Sequence, residues 1–174
     1  MLLLQIFIIA SLLLLVIQDF KSRFVYWLVF PALVLEFILW HYLQQQSLKE
    51  IWQSILFNVL FLLLQLLLIT IYFSLKSKRL INITSELLGL GDILFLLSMA
   101  FYFSVLNFMA FYLISLIESL ITWLLWLTLT KHKNKHIPLA GIQALFLIIF
   151  LTLDWWILHF NIANDDWLLR LIKI

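Results

Sequence analysis

Six apolar stretches, at about residues 2–18, 24–42, 54–75, 91–105, 107–129 and 139–160, run almost without a glycine or proline to interrupt them. A helix rising about 1.5 Å per residue needs about 20 residues to cross the hydrocarbon of a bilayer, with a range of roughly 17–25. Lipid offers no partner for backbone N–H and C=O groups, so segments of this kind must satisfy themselves as helices. A β-barrel would need short segments alternating apolar with polar residues, and these are absent from the pattern. Composition agrees: 66% of the 174 residues are hydrophobic, 11% are charged, and the mean hydropathy is +1.14. A water-facing domain carries about 25% charged residues. The expected fold class is an all-α integral membrane protein. Its expected architecture is one domain over 1–174, a bundle of six transmembrane helices with Asn164–Ile174 as a short C-terminal interfacial helix.

The fourth stretch lies at the lower limit for a span and is divided from the fifth only near Ser104–Asn107. One helix over 91–129 would extend about 58 Å, nearly twice the hydrocarbon core, so a hairpin is expected. Met1–Ile17 has neither a basic leader nor a small-residue cleavage site and reads as a retained first helix. Lys21, Arg23, Lys76, Lys78, Arg79, Lys131, Lys133 and Lys135 fall on one side of this topology, against Lys49, Arg170 and Lys173 on the other. The richer side is expected in the cytoplasm, with both termini outside.

Two acidic residues stand at matched boundaries. Asp19 closes the first helix, within Gln18-Asp19-Phe20-Lys21. Asp92 opens the fourth, directly after Gly89-Leu90-Gly91, which holds two of the chain's three glycines. Glycines there imply a backbone reason, such as an unusual φ/ψ or a close approach, and a carboxylate in a first turn faces the positive end of the helix dipole. The topology brings both aspartates to the cytoplasmic end, although 73 residues separate them. Two carboxylates a few ångström apart share one proton, so one serves as general base while the other serves as general acid. Activation of water against a peptide carbonyl requires that pairing.

These motifs resemble the Gly-x-Gly-Asp aspartyl peptidases of the type IV prepilin peptidase kind, to which the archaeal preflagellin peptidases are related. Asp19 with its basic run is similar to the family's first catalytic aspartate, and Gly89-Leu90-Gly91-Asp92 to its second-aspartate motif. His136-Ile137-Pro138-Leu139-Ala140-Gly141 resembles the Ile-Pro segment that opens the family's last helix. The resemblance implies an enzyme of the bacterial cytoplasmic membrane that cuts the basic leader from pilin-like, membrane-inserted precursors. Asp19 and Asp92 would be catalytic; Gly89, Gly91, Ile137 and Pro138 would shape the site, and Glu86 would meet the leader. Where the family often has Ile-Pro-Asn this chain has Phe24-Val25-Tyr26, and Leu94 stands where a lysine is common. With no cysteine, the cysteine-rich loop of the larger prepilin peptidases is missing, and peptidase activity without methyl transfer is expected. No cofactor, metal or nucleic acid is expected. His132 and His136 belong to a basic loop suited to anionic headgroups. The alternative is a small transporter or channel using Glu36, Glu118 and Asp154, acids that fall within spans two, five and six, where charges are costly and often functional.

Overall fold

The computed structural model of the chain describes residues 1–22, 24–80, 89–129, 138–158 and 163–165, with backbone alone at Leu127, Leu129 and Leu158. These residues are arranged as α1 Leu2–Ser22, α2 Val29–Leu43, α3 Leu48–Ser77, α4 Leu90–Met99, α5 Val105–Leu129 and α6 Leu139–Leu153. The last helix continues as a π-helical turn over Asp154–Leu158. The fold is all-α among the described residues, where four helices are long and apolar enough to cross a membrane: α1, α3, α5, and α6 with its π turn. The two others differ from the full spans expected of them. At 15 and 10 residues, α2 and α4 rise only about 22 and 15 Å.

Each shortening has a visible cause. Residues 24–28 were expected to begin the second span, but they fold back onto the end of α1. Ser22 Oγ donates to the carbonyls of Gln18 and Phe24, and the Tyr26 N–H donates to Gln18 Oε1 at 2.8 Å. The α4–α5 break comes at residues 100–104, slightly before the position expected from sequence. Buried Asn58 on α3 donates from Nδ2 to the carbonyls of Ala100 (3.1 Å) and Phe103 (2.8 Å). Non-helical backbone among apolar helices is tolerated when protein groups satisfy it in this way. The new start of α5 is capped from far along the chain: Asp165 accepts from Ser104 Oγ at 2.6 Å and from the Asn107 N–H at 3.3 Å. Asp165 therefore serves α5, where the sequence suggested part of a short interfacial helix. The remainder of that tail, residues 166–174, lies outside the described residues.

The core is built on the pairing of α1 with α6, the most extensive helix contact in the fold. Leu4, Ile8, Leu12, Leu15 and Asp19 are the buried residues of α1, and they recur every three or four positions along one face. Ala140, Ala144, Leu147 and Leu151 form the matching stripe on α6. Small residues at the start of that stripe let the two backbones approach closely. Outward faces are apolar and exposed, as at Leu3, Ile17, Leu56, Leu75 and Leu125, a surface suited to lipid.

Asn58→Leu is expected to destabilise the fold by about 1–3 kcal/mol, since two carbonyls of the break lose their donor in an apolar setting. Thermal unfolding of the detergent-solubilised protein measures this, and an unchanged midpoint would contradict the assigned role.

Candidate active site

Helix α6 begins with an unmet need. Pro138 precedes it and offers no side-chain oxygen for capping, so the first-turn amides lack the local acceptor that Ser, Thr, Asp or Asn would give. Two other helices supply the acceptors. The Ala140 N–H donates to Asp92 Oδ1 at 2.8 Å, and the Gly141 N–H donates to Asp19 Oδ2 at 2.6 Å. Adjacent residues of one helix turn thus hold two carboxylates that are far apart in sequence. Consecutive helical amides are about 3 Å apart, which places the two accepting oxygens within roughly 8 Å of each other.

Each aspartate is positioned by its own helix. Asp19 continues the buried stripe of α1 and is 8% exposed. Asp92 lies in the first turn of α4, a helix outside the four long enough to cross, and its Oδ2 accepts from the Gly89 N–H at 3.1 Å. This is the backward-reaching half of a capping box. Burial dominates the electrostatics of Asp92: loss of water pushes its carboxyl up to about 6, the Ala140 and Gly89 amides pull the other way, and the Asp19 charge adds to the rise. The α6 helix dipole also favours negative charge at this point. The arrangement suits a pair holding one proton: the amides and the dipole stabilise a carboxylate, while burial and mutual repulsion oppose two charges.

The glycines divide by role. A Cβ on Gly141 would lie 2.9 Å from Asp19 Oδ2 and 3.0 Å from the Phe20 ring, so this position admits no side chain without displacement. A Cβ on Gly89 would come within 3.2 Å of Asp92 Oδ2, whereas one on Gly91 would meet only Val25 Cγ2, at 4.0 Å. Neither glycine has a positive φ. The Gly-x-Gly pair therefore owes nothing to left-handed backbone, and close approach accounts for Gly89 alone.

Of the residues expected at the site, the structure gathers Asp19, Asp92, Gly89, Gly91 and Pro138 at one end of the bundle. Glu86, Ile137, His132 and His136 lie outside the described residues. Sequence reasoning missed the amides of Ala140 and Gly141. A proline opening a helix without a side-chain cap was the available signal, together with the third glycine. Among the described residues, no group of three or more His, Cys, Asp or Glu could hold a metal ion. A cavity of about 180 Å³ lies at the opposite end, lined by residues including His41, Glu50, Ser54, Ser104 and Asp165. Comparison with protein-family models, with curated proteins and with solved structures finds no match to this chain.

Gly141→Ala is expected to cost about 1–3 kcal/mol through overpacking against Asp19 and Phe20. Gly91→Ala should be neutral or stabilising by up to about 1 kcal/mol, because alanine suits a helix better than glycine. Parallel thermal melts test the contrast, and equal midpoints for the two variants would remove the close approach from the account.

Proposed function

We propose that the protein is a membrane aspartic endopeptidase that hydrolyses membrane-inserted, leader-bearing precursors of the pilin kind at the cytoplasmic end of the bundle. The observation that carries this reading is the pair Asp19–Asp92 on the adjacent amides of Gly141 and Ala140. The order of the sequence motifs adds support: an aspartate closing the first helix, Gly-Leu-Gly-Asp opening the fourth, and Ile-Pro opening the last.

In the proposed reaction the ionised aspartate takes a proton from water as the water oxygen bonds to the scissile carbonyl carbon. The protonated partner gives its proton to the carbonyl oxygen, forming a neutral tetrahedral diol. Collapse breaks the C–N bond as the proton held by the general base passes to the departing amine and a diol hydroxyl returns its proton to the other aspartate, which restores the pair to one proton. One water is consumed, and a carboxyl end and an amino end are released. Asp92, with its carboxyl raised by burial, suits the acid role; the apparent values in catalysis belong to the pair. The transporter reading finds less support, because its acids bond in different places: Glu36 accepts from Ser11 between α1 and α2, and Glu118 from Thr122 on its own helix.

Asp19→Asn and Asp92→Asn should each lower cleavage of a co-expressed precursor by at least about a hundredfold, with membrane insertion preserved. Processing by either variant at the wild-type rate would end the proposal. The pair needs one proton, and Asp92 loses its proton as pH rises through about 6. The basic limb of kcat/KM is therefore expected near that pH, and the limb of kcat higher, since bound peptide excludes more water. A flat profile between pH 5 and 8 would contradict the shared-proton mechanism.

A further inference from the structure

The seam between α5 and α6 holds polar atoms that the site does not use. Two contacts fix its register: Gln143 Nε2 donates to Ser115 Oγ at 3.1 Å, and the Phe111 and Phe146 rings stack with centroids 6.1 Å apart. Numbers fall along one helix as they rise along the other, so the helices are antiparallel. Ser119 stands four residues past Ser115, about 6 Å nearer the aspartate end, and Ala140 stands about 4.5 Å from Gln143 in the same direction. Ser119 therefore lies at about the depth of the amide that holds Asp92.

At that depth the seam is closed but unsatisfied. Gln143 is 0% exposed and Ser119 is 1% exposed, yet Gln143 Oε1 and Ser119 Oγ have no hydrogen-bond partner among the described residues. Burying such groups dry costs free energy that contact with water or a peptide would return. Packing around them is also uneven. Past Ser119, none of the described side chains of α5 is buried, and past Leu62 none of α3 is. The other end is pinned by Asn58 to the carbonyls of the α4–α5 break, and by Asn107 Nδ2 to the Asn164 carbonyl at 2.8 Å. α5 is thus held at one end, while at the other few of its side chains are buried and Ser119 Oγ lacks a partner among the described residues.

We infer that α5 separates from α6 at the aspartate end, and that the opened seam receives the unwound scissile segment of the precursor, whose backbone amide and carbonyl groups bond to Gln143 and Ser119. The substrate named here rests on the peptidase reading. A peptide leaving its helix to be cut exposes backbone N–H and C=O groups that lipid cannot serve. Gln143 Oε1 accepts from such an N–H, and Ser119 Oγ donates to such a carbonyl, beside the aspartate pair.

The chain has no cysteine, so single cysteines report directly. Ser119→Cys and Gln143→Cys are to be labelled in membranes with N-ethylmaleimide. Ser98→Cys and Ala144→Cys, equally buried elsewhere in the bundle, serve as references. Opening predicts labelling at both seam positions at least tenfold faster than at the references. It also predicts that a synthetic peptide with a basic leader and an apolar helix slows seam labelling severalfold. Seam rates equal to the references would overturn the opening, and rates unaffected by peptide would overturn the docking. Fast labelling and peptide protection, with no cleavage of that peptide by the wild-type protein, would uphold the seam and reject the peptidase reading, so the two failures are told apart.

Discussion

Amides at the start of a helix need acceptors, and the sequence before α6 offers a proline in their place. The acceptors come from α1 and α4, as Asp19 on the Gly141 amide and Asp92 on the Ala140 amide. One local deficiency thus ties three helices together and fixes where their ends meet. It also sets the electrostatics, because the α6 dipole and two N–H donors stabilise negative charge where two carboxylates repel each other. The close α1–α6 contact depends on the same point: with any side chain at residue 141, Asp19 could not sit where it does.

The rest of the bundle is organised by depth. At the end away from the aspartates, polar side chains are spent on backbone: Asn58 on the α4–α5 break, Asp165 on the start of α5, and Asn107 on the Asn164 carbonyl. These bonds make a ten-residue α4 possible, and a short α4 lets Asp92 begin its helix level with the end of α1. At the aspartate end, α3 and the last turns of α5 bury little, and polar atoms in the α5–α6 seam go without partners among the described residues. Side chain–backbone hydrogen bonds thus gather at the end away from the aspartates, and burial in α3 and α5 thins beside the candidate site.

Much of the fold was legible because apolar length and backbone self-satisfaction leave little choice. The all-helical class, the hairpin between the fourth and fifth segments and the shared end for Asp19 and Asp92 all follow from segment lengths and connection order. The lengths of α2 and α4 did not, since the Gln18 side chain folds residues 24–28 back and Asn58, more than forty residues away from it, stops α4. Hydropathy does not register a single buried hydrogen bond. The site was half legible. The aspartates announced themselves by position, but the glycine motif suggested unusual backbone, and its conformation is ordinary. Gly141 carries the tightest approach instead.

Sequence alone determined that this chain is a bundle of apolar helices and that two acidic residues fall at the ends of helices meeting at one boundary. Both follow from periodicity and length, which act locally along the chain. Tertiary structure decided which amides receive the carboxylates, which glycine must remain bare and where α5 is left unsatisfied. Those outcomes depend on the rotation and register of one helix against another, which follow from side-chain packing across the seams rather than from any single segment.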